Sequence, residues 1–312
     1  METINSLEDI LILLRDIKNN IKEHSTDEFF SLLKPRSFFK DIWFRGEEND
    51  FGDTSLTPKL FREKYDETII YNTLPCNNEI LRSLDNDFDK LCYMQHYGVP
   101  TRLLDWTDNI LVALYFAVKK DNGQDAKLYI LNSRLLNNYT GLRKDWKNIL
   151  QKDDIGTLAR CLMIHSDNCR EWDSKLNKRI SFNLSKNSDD LNDMPFKIFN
   201  FTHNEVDESM ELRFKLFSTP VAIHPNNINE RIVFQSGYFT MHGGKISEDN
   251  KMSKPVGILD ISGKEKFLKI FTIPSKAKPI IKLELQQLQI HEGALFPELE
   301  KQKEFIDIIG KN

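Results

Sequence analysis

Glycine is scarce in this chain, and none of it is arranged to cradle a phosphate. Thirteen glycines fall in 312 residues without forming G-x-G-x-x-G or G-x-x-x-x-G-K-[ST], which removes the usual nucleotide loops. The four cysteines, Cys76, Cys92, Cys161 and Cys169, make no C-x-x-C pair and have no histidines at zinc-ligand spacing. They are therefore expected to be free thiols in a reducing compartment, and no metal site is expected. The longest apolar run, Ile110 to Val118, is far shorter than the roughly 20 residues that span a bilayer. The start, METINSLEDILILLRD, lacks the basic opening and small-residue cleavage site of a signal peptide, so a cytoplasmic protein with no membrane partner is expected. An excess of positive charge is missing too. A net charge of −4 argues against a protein that coats nucleic acid, although it leaves room for a basic cleft on one face.

What is present is an ordinary globular composition: 40% hydrophobic and 29% charged residues are enough to bury a real core. Ile4, Leu7, Ile10, Leu11, Leu14, Ile17 and Ile21 recur at helical spacing and predict an amphipathic helix over 3–22. Ser25-Thr26-Asp27 is expected to cap a short second helix through Leu33, and Ile42–Phe44 to form a strand. Residues 77–94 carry a second helical series, which Gly98-Val99-Pro100 ends. Thr101–Asp105 is expected to be extended, with Thr107 as N-cap of a helix over 108–120. Lys127–Leu131, Phe196–Phe201, Pro220–His224, Arg231–Gln235, Tyr238–Met241 and Phe267–Ile273 are β-like. Residues 244–255 have the composition of a polar, mobile loop, and 279–290 of a helix. Short strands from both ends of the chain with helices between them indicate an α+β fold. The expected organisation is an N-terminal helical segment, 1–35, and one domain over 36–300 with a polar insertion at 134–195.

The residues that could carry chemistry concentrate in two places. Arg45 ends the apolar Ile42-Trp43-Phe44 and precedes Gly46. It is either a strand-end surface ion pair or an anion clamp, whose planar fork suits a phosphate while Gly46 lets a ligand approach the backbone. In Thr101-Arg102-Leu103-Leu104-Asp105-Trp106-Thr107, Arg102 and Asp105 either pair with each other or face a ligand. Trp106 is either core or, like Tyr97, a stacking platform for a nicotinamide or nucleobase. Thr101 and Thr107 offer hydroxyls to a ribose or phosphate. His96 is a structural helix-end histidine or a general base. Gln235 closes Arg231–Gln235 and either satisfies backbone groups or aims its amide at sugar hydroxyls, while Glu79 suits a helix N-terminus.

Several of these stretches resemble the FRG-domain family. The resemblance rests on Phe44-Arg45-Gly46, Leu56-Thr57-Pro58, Glu79, the run Met94 to Thr107, Ala113-Leu114-Tyr115-Phe116-Ala117, Arg231 with Gln235-Ser236-Gly237-Tyr238-Phe239, and Leu295-Phe296-Pro297-Glu298-Leu299. That family is similar at fold level to the ADP-ribosyltransferases, so the resemblance implies an ADP-ribosyltransferase-like α+β fold, with NAD as substrate and a macromolecular acceptor, nucleic acid or protein. It implies a toxin or anti-phage defence effector, with an antitoxin or regulatory protein as a partner. Carried onto this chain by position, Arg45 would be the first catalytic element, Thr101 to Thr107 the second and Gln235 the third. A neutral glutamine departs from the usual glutamate, which leaves Asp105, Glu79 or His96 to supply the base, or an acceptor that needs little activation. Two other readings of the same residues stand beside this one: a catalytically silent module that binds a nucleotide or a partner, and a nuclease or hydrolase using His96 and Asp105, for which clustered metal-binding carboxylates are missing.

Overall fold

The helical series near the N-terminus forms helix α1, Leu7–Lys22, which buries Ile10, Leu13, Ile17 and Ile21 along one stripe. The computed structural model describes residues 2–23, 25–33, 38–65, 67, 69–70, 73–74, 78–84, 87–139, 219–223, 237–246 and 252–296. Ahead of α1, Thr3 bridges Thr272, and the Ile4 amide donates to the Thr272 carbonyl at 2.9 Å. Asp27 caps a single 3-10 turn, Glu28–Phe30, in place of the longer helix expected there.

The strands are β1 (Ile42–Glu47), β2 (Leu103–Thr107), β3 (Ala126–Asn132), β4 (Val221–Ile223), β5 (Gly237–Met241), β6 (Gly244–Ile246), β7 (Met252–Pro255) and β8 (Leu268–Ile273). Six of them form one sheet in the order β4-β5-β2-β1-β3-β8, with every neighbouring pair antiparallel. The fold is therefore α+β, as the alternation of elements indicates. β6 and β7 pair as a separate hairpin, which corrects the expectation of a loop over 244–255. Their backbone hydrogen bonds make the ladder, so no apolar alternation announced it.

Each face of the sheet carries its own core. On one side Ile42, Phe44, Leu128 and Ile130 pack against α1, helix α3 (Ile110–Val118) and helix α5 (Lys278–Gln287). On the other, Trp43, Leu104, Trp106, Tyr129 and Leu131 pack against Leu135 and Leu136 of helix α4 (Ser133–Tyr139), with Leu56, Ile258 and Phe267. The alternation of side chains along a strand produces this division. Helix α3 is apolar almost all round because it is nearly enclosed, with seven of its residues buried. It presses against β1 so closely that a Cβ on Gly46 would lie 1.9 Å from the Ala113 carbonyl oxygen. Gly46 is thus required by the helix behind it, a packing role that the ligand-approach reading did not foresee.

The helix expected over 77–94 is two pieces, Glu79–Ser83 and α2 (Asp87–His96), because Leu84 turns extended between them. The described residues include no part of 140–218, so most of the 134–195 insertion and the expected strand at 196–201 lie outside them, as do Arg231–Gln235 and Pro297-Glu298-Leu299. α1 contributes to the same core as the sheet. No helix among the described residues is long and apolar enough to cross a membrane.

Candidate functional site

The central strands do not close on each other. β1 registers with β3 at six successive pairs and β2 with β5 at five, but β1 and β2 meet at one pair, Phe44 opposite Thr107. Beyond it the strands diverge and a cavity of about 360 Å3 opens, within the size range of small-molecule sites. Its walls come from both faces of β1: Arg45 and Glu47 from one, Phe44 and Gly46 from the other. Gln95, His96 and Cys92 of α2, Asp105, Trp106 and Thr107 of β2, and Val112, Ala113 and Phe116 of α3 complete the interior. Glu48, Phe51, Arg62, Lys119, Gly237 and Phe239 also contribute to the lining.

Arg45 spans the gap. Its Nη1 donates to the Asp105 carbonyl oxygen at 2.8 Å and its Nε to Glu47 Oε1 at 3.1 Å. The Arg45 side chain stays 18% exposed, so it is neither a plain surface pair nor a sealed core charge. Its positive charge is joined in the lining by Arg62, whose guanidinium carbon lies 5.5 Å from the centre of the Phe51 ring, and by the exposed Lys119.

Asp105 is held by a second relay. The Thr101 hydroxyl donates to Gln95 Oε1 at 2.6 Å, and Gln95 Nε2 donates to Asp105 Oδ2 at 2.9 Å. Thr101 is itself buried, so its hydroxyl acts through Gln95 instead of meeting a ligand. Thr107 Oγ1 accepts the Asn109 amide at 3.0 Å, while Asn109 Oδ1 accepts the Leu111 amide at 3.0 Å. The N-cap of α3 is therefore Asn109, and the expected cap at Thr107 is corrected, because the strand keeps Thr107 in register with Phe44. Trp106 is buried and donates through Nε1 to Thr240 Oγ1 at 3.0 Å, although it still contributes to the lining.

Besides Thr101, three residues expected at the site, Tyr97, Arg102 and Glu79, stand apart from it. Tyr97 is 64% exposed beside Tyr93 and His96 and does not line the cavity. Arg102 has no exposed surface at all. Its Nε donates to Glu67 Oε1 at 2.8 Å, its Nη2 pairs with Glu67 Oε2, and its Nη1 donates to the His242 carbonyl at 2.8 Å. The Arg102–Asp105 pair is not formed; the partner is Glu67, brought from elsewhere in the chain. Glu79 is the exposed first residue of its short helix and also lies off the cavity. Gln235 lies outside the described residues, while Gly237, two positions later, lines the cavity.

Below the cavity floor, Trp106, Thr240 and His242 form a chain. Thr240 Oγ1 accepts a hydrogen bond from Trp106 Nε1 and lies 2.9 Å from His242 Nε2, whose Nδ1 is 3.1 Å from the Val256 carbonyl. A carbonyl only accepts, so Nδ1 bears the proton and Nε2 accepts from Thr240. Burial pushes His242 down to about 3; the Val256 bond opposes this, and the charges of Arg45 and Arg102 reinforce it. Burial likewise raises the Cys92 thiol well above its usual range, helped by Asp89 and Asp105, so it meets the cavity as a neutral group.

Glu47 and Gln95 are site residues that the sequence alone does not single out. Glu47 sits two residues after Arg45, and so on the same strand face, a signal that period-2 alternation could have supplied. Residues 40–126 match the FRG domain. No curated protein and no solved structure matches the chain. The FRG segment spans β1, β2 and α3, so it contains Arg45, Glu47, Gln95, His96 and Asp105 together.

Proposed function

We propose that this protein binds NAD in the cavity between β1 and β2 and transfers its ADP-ribose to a macromolecular acceptor, nucleic acid or protein. The observation that carries the reading is the parting of the two strands around an arginine that bonds the Glu47 carboxylate and the Asp105 carbonyl. Arg45, Arg62 and Lys119 supply cations for a pyrophosphate, and Phe51 and Phe116 supply apolar rings beside them. These groups suit an anion that carries an aromatic group, and a dinucleotide is a ligand of that kind.

In the reaction the bond between ribose C1′ and the nicotinamide nitrogen breaks, and the electron pair leaves with nicotinamide. Positive charge develops on the ribose, the acceptor adds to C1′, and the acceptor loses a proton. Carboxylates fixed in the cavity wall favour that charge. A carboxylate contributed from β1 or β2 meets the requirement that the neutral Gln235 does not. Asp105, held by Gln95, and His96 are the lining groups suited to take the proton. Glu79, off the cavity, drops out of that role. The ADP-ribosyltransferase-like fold, the cytoplasmic location and the role of toxin or defence effector with an antitoxin belong to the same proposal. The hydrolase reading has His96 and Asp105 in the same cavity, but among the described residues no three His, Cys, Asp or Glu side chains cluster as metal ligands to support it.

Incubation of the purified protein with adenylate-labelled NAD and cell lysate tests the proposal. Label that becomes macromolecular, and is then released by nuclease or by protease, is the expected result and names the acceptor class. NAD bound but left intact would favour the silent nucleotide-binding module, and NAD neither bound nor consumed would end both readings.

A further inference from the structure

Asp105 is the one exposed residue in an otherwise buried β2, and it lines the cavity. Its carboxylate is held at one oxygen: Oδ2 takes the bond from Gln95 Nε2, and Oδ1 takes none among the described residues. The chain behind that bond has a fixed direction. A carboxylate only accepts, so Gln95 turns Nε2 to Asp105 and Oε1 to Thr101. An amide oxygen also only accepts, so the Thr101 hydroxyl donates, and its own oxygen takes the Leu103 amide at 3.2 Å. The relay thus starts at the backbone of β2, passes through a buried hydroxyl and ends on an exposed carboxylate. The Asp105 backbone is tied separately, by the bond from Arg45 Nη1 to its carbonyl. The carboxylate torsion of an aspartate is broad when nothing holds it. Here the Gln95 amide decides which oxygen is occupied and which is open.

Resting on the NAD reading above, we propose that Asp105, and not His96, takes the proton of the acceptor, and that Gln95 and Thr101 are the positioning residues that aim it. In the step, a lone pair of an acceptor O–H or N–H group forms the bond to ribose C1′. The bond from C1′ to the nicotinamide nitrogen breaks, and its electron pair stays on that nitrogen. The acceptor proton passes to Asp105 Oδ1, the oxygen that the relay leaves open. A base serves only within hydrogen-bond reach of the proton it removes, and a small misplacement costs orders of magnitude in rate. His96 lines the same cavity with its ring set edge-on to the exposed Tyr97. Asp105 is the candidate whose oxygen is aimed by the fold. Gln95 therefore acts on the rate of transfer, not on the hold of NAD.

The test follows label from adenylate-labelled NAD into a fixed amount of cell lysate as NAD is varied, which separates kcat from KM for the full chain. Gln95→Leu is similar in size but makes neither bond. It is expected to lower kcat by about tenfold or more while KM for NAD stays within about twofold. Asp105→Asn is expected to lower kcat by about a hundredfold or more, and adding Gln95→Leu to it to change little, because the carboxylate being aimed is already gone. The inference is overturned by a folded Gln95→Leu with wild-type kcat, by a loss confined to KM, by an equal further loss in the Asp105→Asn protein, or by an Asp105→Asn that transfers as fast as wild type. Should Gln95→Leu fail to fold, Thr101→Val is expected to lower kcat by about threefold or more. Thr101→Ser, which keeps the hydroxyl, is then expected to recover most of that loss, and equal losses in the two count against the inference. Wild-type protein that binds NAD in calorimetric titration but transfers nothing overturns this inference and leaves the nucleotide-binding module standing. Wild-type protein that does not bind NAD overturns both.

Discussion

Around Arg102, Glu67 takes two donors of the guanidinium, the His242 carbonyl takes another, and no surface is left. Around Arg45 the same kind of side chain meets a carboxylate with one oxygen still unmade, and it bridges strands that have parted over a cavity. As sequence, each arginine is open to an ion pair or to a ligand. What separates them is completion. The Arg102 cluster keeps its charge inside the fold, where burial is compatible with a charge that is paired and hydrogen-bonded. The Arg45 region keeps donors and acceptors in hand at a place a ligand can reach. Charge that is finished holds structure together, and charge that is unfinished is where binding should be sought.

The most severe way to break this comparison is Arg102→Ala. It strands the Glu67 carboxylate in the interior, and chemical denaturation is expected to show a loss of about 3–5 kcal/mol. Replacing both partners together, Arg102→Met with Glu67→Leu, is expected to restore most of that loss, since an apolar pair leaves no orphaned charge. If the single variant were as stable as wild type, the cluster would not be structural.

Gly46→Ala probes the wall behind Arg45. The added methyl group meets backbone, not a side chain able to swing away, so overpacking of about 1–3 kcal/mol or more is expected in thermal melts. Weakened ligand binding with an unchanged melting temperature would instead return Gly46 to the ligand-approach role.

Titration of the fold itself reports on the region beneath the cavity. His242 is held at about 3 in the folded chain, against an ordinary value near 6.5 when unfolded. The unfolded state therefore binds a proton that the folded state refuses as pH falls from about 6.5 towards 3. Stability is full above that window and declines within it by at most about 1.4 kcal/mol per pH unit from this group. His242→Gln is expected to flatten the slope, as read from denaturation midpoints at several pH values. An identical slope in the variant would assign the acid sensitivity to other groups.

The smallest effect belongs to the start of α3. Asn109→Ala removes the cap and is expected to cost about 1 kcal/mol, whereas Thr107→Ser, which keeps the hydroxyl for the Asn109 amide, is expected to be nearly silent in melts. A larger cost at Thr107→Ser would show that its methyl group packs where the two strands meet.

The elements that local pattern can define were legible in the sequence. α1 announces itself by its stripe, β3 and β8 by their apolar runs, and α3 by its uninterrupted hydrophobicity. Errors arose where distant chain decides. Thr107 and Asn109 are both good caps, and only the pairing of Thr107 with Phe44 chooses between them. Nothing near Arg102 reveals that Glu67 will reach it, so a buried ion pair looked like a ligand contact. Arg45 and Asp105 were legible as cavity residues, but their supports were not: Gln95 is positioned by Thr101, and the amide that fixes Glu47 comes from the strained Leu56. The parting of β1 from β2 has no local signature, because each strand is regular in itself.

The central claim is that the gap bridged by Arg45 is a dinucleotide site, and calorimetric titration of NAD into wild type and Arg45→Lys tests it most directly. The lysine keeps the charge near Glu47 but loses the planar fork. Saturable binding by wild type, weakened at least tenfold in an Arg45→Lys variant that melts within a few degrees of it, is the predicted result. Absence of saturable NAD binding by folded wild-type protein, or equal affinity in the two proteins, would contradict it.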